Sequence, residues 1–128
     1  MSVQSDIYGE ILLEDGSRHA VCIHGGHLAQ FPNATLMNWL MGWGADDLGP
    51  PPQYFEGLPD DLGDEVAYAV EYEESLGWLW LDDLKESVKN HTDMPGFFVD
   101  WLEKELFQPI EAIQRRPKGR IRLIVGSG

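Results

Sequence analysis

The sequence is short of cysteine and of long apolar runs, and both shortages limit what the protein can be. Cys22 is the only cysteine, so the chain cannot form an internal disulfide. No apolar run approaches the length of about 18 residues that predicts a membrane span. The first residues, MSVQSDIYGE, have neither the basic region nor the apolar core of a signal peptide. We therefore expect a protein of the reducing cytoplasm with no membrane association.

Positive charge is also scarce, and it is unevenly distributed. Nine Lys and Arg stand against 22 Asp and Glu, which gives a formal net charge of −13 at pH 7. No Lys or Arg occurs in residues 19–84. Five cations lie close together near the C-terminus: Arg115, Arg116, Lys118, Arg120 and Arg122. Because phosphate binding depends on cations that displace counterions, the net charge argues against direct binding to nucleic acid.

Apolar residues are plentiful, which indicates a folded chain despite its charge. They make up 43% of the sequence and aromatic residues 11%, more than disordered chains contain. A length of 128 residues fits one domain, and no internal repeat divides the chain. We predict a single domain over residues 1–128 of the α+β class. A small, mostly antiparallel sheet, formed by an N-terminal hairpin and a C-terminal strand, packs with two or three helices.

Three segments carry strand patterns. The turn pair Asp15-Gly16 separates two apolar runs, which predicts a hairpin with strands near residues 6–13 and 18–24. The segment WLWL predicts a buried strand, in which Trp78 or Trp80 lies in the core. The alternation of Arg and apolar residues in GRIRLIV is typical of an edge strand that ends the fold.

Four segments carry helical patterns. A short core helix is expected in NATLMNWLMGW, and a second helix begins at Asp60, Asp61 or Asp64, although the alternation in VAYAVEY leaves a strand open there. Asp82 is placed to cap a third helix. The apolar spacing of GFFVDWLEKELF predicts a fourth helix, which Pro109 should kink or interrupt. Residues 45–64 are rich in Pro, Gly and acids and predict a loop.

Two clusters have the residue types of a metal site, and neither fits one. His19, Cys22, His24 and His27 offer zinc ligands, but on one strand His19 points away from Cys22 and His24. The carboxylates of residues 46–65 lack the alternating ligands and the terminal Glu of a calcium loop. We expect no bound metal and no cofactor. A buried, unreactive cysteine is the expected state of Cys22.

The order of several short motifs resembles a family of small bacteriophage proteins of unassigned function. In that family a loop ending in G-L-P-x-D-x-S-x-E-V precedes an S-W-L-T-L-x-E-L segment, and the chain ends on an R-I-V-F-W-F strand. Residues 57–66, 78–86 and 120–125 carry the similarity here. The His-Ser pair that often precedes the tryptophan is absent, and so is the aromatic C-terminal end. The resemblance implies a phage setting, which would place the protein in the bacterial host cytoplasm.

These observations together predict an acidic binding protein that inhibits or redirects a basic host protein, such as a nucleic-acid-binding defence or transcription factor. No catalytic motif suggests an enzyme. The expected partner-binding residues combine acidic and aromatic side chains: Asp46, Asp47, Tyr54, Phe55, Glu56, Asp60, Asp61, Asp64 and Glu65.

Two alternative functions remain open from the sequence. One is a small-molecule or nucleotide binder whose pocket includes histidine, glycine and arginine residues: His24, Gly25, Gly26, His27, Arg120 and Arg122. The other is a small enzyme that uses His24 or His27 with a carboxylate. A convergent pocket with shifted histidine pKa values would favour either of these over a binding protein.

Overall fold

The computed structural model of the protein describes residues 5–21, 29–30, 34–42, 50–90, 94–113 and 119–127. Within these residues, six strands form one sheet in which every pair of neighbours is antiparallel. The strands are β1 (Ser5–Leu13), β2 (Arg18–Val21), β3 (Ala29–Gln30), β4 (Phe55–Glu56), β5 (Ser75–Trp80) and β6 (Gly119–Ser127). Their order is β2-β1-β6-β5-β4, with β3 also paired to β1.

The helices lie between the strands in the chain. They are α1 (Ala34–Leu40), α2 (Asp64–Ala69), α3 (Leu81–Lys89), α4 (Gly96–Trp101) and α5 (Gln108–Ile113). A π-helical segment, Leu102–Phe107, joins α4 to α5 without a break. The predicted α+β class, with a small antiparallel sheet packed with helices, is confirmed.

The N-terminal hairpin forms as the turn residues predict. Gly16 has a φ of +87°, a conformation that a residue with a Cβ rarely adopts. The carboxylate of Asp15 accepts a hydrogen bond from the backbone N–H of Ser17, and the N–H of Leu13 donates to the carbonyl of Ser17. These local bonds fix the register that pairs β1 with β2.

The prediction of an edge position for the C-terminal strand was wrong, because β6 lies in the middle of the sheet. It pairs with β1 over its whole length and with β5 from Ser127 to Arg122. The alternating arginines had indicated a solvated face and therefore an edge. Arg122 is instead 1% exposed and is paired inside the fold, so the polar residues of β6 do not mark an edge.

The two faces of the sheet bury different amounts of the chain. One face, here called the core face, packs Ile7, Leu79 and Leu123 against α1, α3 and the α4–α5 helix in the main hydrophobic cluster. The opposite face, here called the network face, carries a small cluster in which Tyr8 and Ile124 contact α2. The alternation of side chains along each strand separates the two sets.

Trp78 and Trp80 both lie on the network face, and both are half-buried. One of them was expected to lie in the core, but neither is among the buried core residues, because residues two apart on a strand point to the same side and both share the network face. Leu79, between them, is fully buried on the core face. Trp78 packs against the small cluster beneath α2.

One helix begins at a different residue from the one predicted. The helix expected around VAYAVEY is present as α2, which begins at Asp64 and includes VAYA of this segment, whereas residues 70–72 form turns. Asp82 does not cap α3, because that helix begins one residue earlier, at Leu81, and Asp82 lies in its first turn. Pro109 does not end the helix, because α5 continues from Gln108 to Ile113. The π-helical segment lies directly before it, and a change of hydrogen-bond pattern of this kind accompanies a residue that lacks a backbone donor.

Candidate functional site

A buried ion pair joins the two central strands on the network face. Glu10 of β1 and Arg122 of β6 lie opposite each other in register, and each is 1% exposed. The guanidinium Nε and Nη2 of Arg122 donate to Glu10 Oε1 at 2.9 and 2.5 Å. A buried charge is tolerated only when it is paired and hydrogen-bonded, so each residue requires the other.

Asp61 extends this pair into a loop over the sheet. Arg122 Nη1 donates to Asp61 Oδ1 at 2.7 Å, and Nη2 donates to the backbone carbonyl of Asp61 at 3.1 Å. Arg18 Nη2 donates to Asp61 Oδ2 at 2.8 Å. The hydrogen bonds from Arg18 and Arg122 lower the pKa of Asp61 to about 2.

The same network fastens the end of the loop at Gly63. The backbone N–H of Gly63 donates to Glu10 Oε2 at 2.8 Å. A Cβ at this position would lie 2.8 Å from that oxygen and 3.1 Å from the Cβ of Arg18, so a larger residue would disturb the bond. Residues 57–63 are therefore held to the sheet by bonds from both strands of the central pair.

Helix α2 follows this loop and covers the network face with its apolar side only. Val66 and Val70 are buried, four residues apart, and contact Tyr8 and Ile124. That spacing places both on one side of a helical turn, and Ala69 packs beside them, so most of the other side chains of the segment face solvent. The hydroxyl of Tyr8 donates to Glu73 at 2.7 Å and secures the chain beyond the helix. Burial, together with this bond and the charge of Glu73, raises the pKa of Tyr8.

The solvent side of this segment carries acids and two tyrosines, here called the acidic surface. Its members are Asp60, Asp64, Glu65, Tyr68, Glu71, Tyr72 and Glu74, all of them exposed. Tyr68 and Tyr72 are 79% and 89% exposed, the highest values among the large hydrophobic residues described. Within the described residues none of the five carboxylates forms an ion pair. The acidic surface is therefore uncompensated charge with exposed rings beside it.

The predicted partner-binding residues divide into three groups. Asp46 and Asp47 lie outside the described residues. Asp60, Asp64 and Glu65 belong to the acidic surface, and Glu56 is also exposed. The remaining three are engaged within the fold: Tyr54, Phe55 and Asp61.

Their contacts show how these three are engaged. Tyr54 packs against the main core, and its hydroxyl lies so close to Gly77 that a Cβ on this glycine would collide with it. Burial raises the pKa of Tyr54 to about 12. Phe55 stacks on Trp78 with ring centroids 4.4 Å apart. Asp61 is half-exposed, but both of its carboxylate oxygens accept bonds from arginines. Tyr54 is therefore half-buried against the core rather than fully exposed.

A row of rings on the network face continues from Phe55. Trp78 meets Trp80 edge to face at 5.5 Å, and the guanidinium of Arg120 lies 3.9 Å from the centre of the Trp80 ring. Arg122 lies beneath both tryptophans, 5.7 and 6.0 Å from their ring centres. Two of the clustered cations near the C-terminus thus have aromatic partners in the fold. Arg115, Arg116 and Lys118 lie outside the described residues.

The residues predicted for a small-ligand site are not brought together in the part of the chain described. His24, Gly25, Gly26 and His27 lie outside it, as does Cys22. Arg122 is buried, and its guanidinium donates hydrogen bonds to Glu10 and Asp61 within the fold.

Two surface grooves occur elsewhere. One, of about 390 Å³, lies between α3 and the π-helical segment and is lined by Val88, Val99 and Phe107 with charged residues around them. The other, of about 240 Å³, lies between residues 50–53 and α3. Neither groove includes Arg120 or Arg122.

The described residues show no group of three or more His, Cys, Asp or Glu side chains that could hold a metal ion. His19, the described member of the histidine cluster, is exposed on β2 with its Nε2 3.2 Å from the Ser17 hydroxyl. Among the helices described, none is both long enough and apolar enough to cross a membrane.

Sequence reasoning missed the roles of Glu10 and Arg18 and did not assign Tyr68 and Tyr72 to a site. One signal was present: Glu10 interrupts the apolar strand IYGEILL, and Arg122 interrupts another. Charges of opposite sign within two strands of one sheet indicate a cross-strand pair when the strands are neighbours.

Searches of protein-family models, of curated proteins and of solved structures find no match to this chain.

Proposed function

We propose that the protein is a non-catalytic binding protein whose acidic surface contacts a basic partner protein. The observation that carries the proposal is the contrast between Asp61, which two arginines neutralise, and the five exposed carboxylates of the acidic surface, which have no ion pair within the described residues. Unpaired like charges on one surface repel each other, and a basic partner would relieve that repulsion.

The charge pattern supports fast and selective encounter. A one-signed surface attracts an oppositely charged partner before contact, accelerates association and excludes acidic competitors. Tyr68 and Tyr72 add exposed ring area, which can be buried in the complex and supply affinity that surface charge alone lacks. Acidic residues and aromatic rings on one surface thus provide the two components of an interface.

The resemblance of residues 57–66, 78–86 and 120–125 to phage proteins supports a more specific form of the proposal. In a phage setting the basic partner is a host protein, and its action is inhibited or redirected by the complex. Proteins that bind nucleic acid carry the required basic surface. A host defence or transcription factor is therefore the proposed class of partner, and the host cytoplasm the proposed compartment.

The test compares two variants with equal changes in net charge. In the first, Asp60, Asp64 and Glu65 are changed to Lys; Asp61 is left intact because it holds the loop. In the matched control, Asp100, Glu103 and Glu105, which are exposed on the α4–α5 helix, are changed to Lys. Each immobilised protein is exposed to bacterial lysate, and the retained proteins are identified, purified and assayed for association across a salt series.

The proposal predicts that the wild type and the control retain the same basic protein and that the first variant loses it. We expect the association rate of the first variant to fall about tenfold or more at low salt, with the difference shrinking as salt rises. Circular dichroism checks that both variants are folded. Equal retention by all three proteins, or equal loss in both variants, would refute a role for the acidic surface.

A further inference from the structure

We propose that the acidic surface selects arginine over lysine in its partner, holding guanidinium groups against the rings of Tyr68 and Tyr72 beside the neighbouring carboxylates. This inference rests on the proposed function, since a basic partner is its premise. It specifies which cation the surface recognises and which two residues make the choice.

The exposure of the two rings is the first support. Tyr68 and Tyr72 leave only about a fifth and a tenth of their surface covered, because the apolar contacts of this segment are made by Val66 and Val70. Leu58 and Phe97, the other exposed large hydrophobic residues described, keep 39% and 63% of their surface in solvent. The faces of the two phenol rings are therefore open to a ligand.

The position of carboxylates beside the rings is the second support. Tyr68 follows Asp64 by four residues and Glu65 by three on α2, and side chains at these spacings are neighbours, with about 5–6 Å between Cβ atoms. The N–H of Glu71 donates to the carbonyl of Tyr68 at 3.3 Å, so the chain continues to turn after the helix. Tyr68 thus stands beside two acids of α2, and Tyr72 follows Glu71 directly in the chain.

The different chemistry of guanidinium and ammonium groups explains why this surface would bind arginine more tightly than lysine. A guanidinium is planar and weakly hydrated, so it stacks flat on a ring while its N–H groups point sideways to carboxylates. An ammonium is a compact, strongly hydrated charge that gains less from the ring. A surface of carboxylates alone would attract both, whereas rings between carboxylates favour arginine.

The protein already binds its own arginines in this way. Arg122 has carboxylates at its edge and tryptophans above it, and Arg120 stacks 3.9 Å from the centre of Trp80. The ammonium of Lys85 stays 5.5 Å from the centre of the Phe107 ring. The acidic surface offers the same two kinds of group, with no cation of the described residues occupying them.

The test measures selectivity with two defined probes, nona-arginine and nona-lysine, which carry the same charge. Titration calorimetry gives the Kd of each peptide for the wild type, and we expect nona-arginine to bind about tenfold more tightly. The variant Tyr68→Ala/Tyr72→Ala should lose this preference, and Tyr68→Phe/Tyr72→Phe should keep it because the rings remain. Phe97→Ala, an exposed ring on α4, is the control and should leave the preference unchanged.

The outcomes separate this inference from the proposed function. If the wild type binds both peptides equally, or if the alanine variant keeps the arginine preference, the inference is overturned. The proposed function then still stands, provided that Asp64→Lys/Glu65→Lys weakens both peptides. If that charge reversal changes neither Kd, the acidic surface is not the contact and both proposals fail.

Discussion

The protein uses carboxylates in two contrasting ways: some are paired with arginines inside the fold, and others are exposed on the acidic surface. Glu10 and Asp61 are neutralised by Arg18 and Arg122, and their bonds hold a loop to the sheet. The carboxylates of the acidic surface form no ion pair within the described residues. The difference shows that acidic composition alone predicts neither stability nor binding, because the position of the few arginines decides which acids remain available.

The largest loss of stability is expected from replacing Arg122, the buried cation that pairs with Glu10. Arg122→Met leaves Glu10 buried without its partner, so we expect the free energy of unfolding to fall by about 3–5 kcal/mol. Urea unfolding followed by tryptophan fluorescence measures the loss. The double variant Glu10→Leu/Arg122→Met removes both charges and should be more stable than the single variant. A double variant no more stable than Arg122→Met would contradict the pairing.

The next effect sharpens the contrast between the two faces of the sheet. Leu79→Ala empties a fully buried position on the core face, and we expect a loss of about 2–5 kcal/mol. Trp80→Ala removes a larger side chain from the network face, but that side chain is only half-buried and its contact with Arg120 is partly in water. We expect a smaller loss than at Leu79. The reverse order of urea midpoints would show that the network face carries more of the stability than its burial indicates.

Local patterns in the sequence predicted the elements of this fold better than their arrangement. Asp15-Gly16 predicted the hairpin because a tight turn is a local property of the backbone. The acids before VAYAVEY predicted the start of α2, at Asp64, for the same reason. The central place of β6 was missed because it depends on Arg122 meeting Glu10, 112 residues away. No local pattern contains that pairing, so a buried arginine was read as a solvated one.

The candidate site was predictable only in part for the same physical reason. Charge counting located Asp60, Asp64 and Glu65 on an exposed acidic segment. It could not separate Asp61 from Asp60, because adjacent residues of one type differ only in which arginines the fold brings to them. The exposure of Tyr72 also depends on which side of the segment faces the sheet.

The contribution of Asp61 to stability can be tested by changing the pH. Its pKa is about 2 in the folded protein, below the value of about 3.9 for an unfolded Asp. A lowered pKa means that the ionised form stabilises the fold at pH values above the unfolded pKa, and that this contribution is lost as the pH falls toward 2. We expect Asp61→Asn to be less stable than the wild type by about 1 kcal/mol at pH 7, a modest value because Asp61 is half-exposed.

The measurement is the difference in urea midpoint between wild type and Asp61→Asn at pH 7 and at steps down to pH 3. The difference should shrink over the lower steps, as the unfolded-state carboxyl takes up its proton. Asp60→Asn, at the exposed neighbour, is the control and should show little difference at any pH. A difference for Asp61→Asn that stays constant to pH 3 would mean that its charge does not hold the loop.

The smallest effect on stability is expected at the acidic surface, whose carboxylates form no ion pair within the described residues. The double variant Glu71→Gln/Glu74→Gln removes two exposed carboxylates, so the free energy of unfolding should change by less than about 0.5 kcal/mol per substitution. If the acidic surface is an interface, the same double variant should nevertheless associate more slowly with the basic partner at low salt, because the attracting field is weaker. Asp61→Asn would then lower the urea midpoint with little change in the association rate. The glutamine variant would lower the association rate with little change in the urea midpoint. A glutamine variant that lowers the midpoint as much as Asp61→Asn would show that these carboxylates belong to the fold, and the contrast between the two regions would be lost.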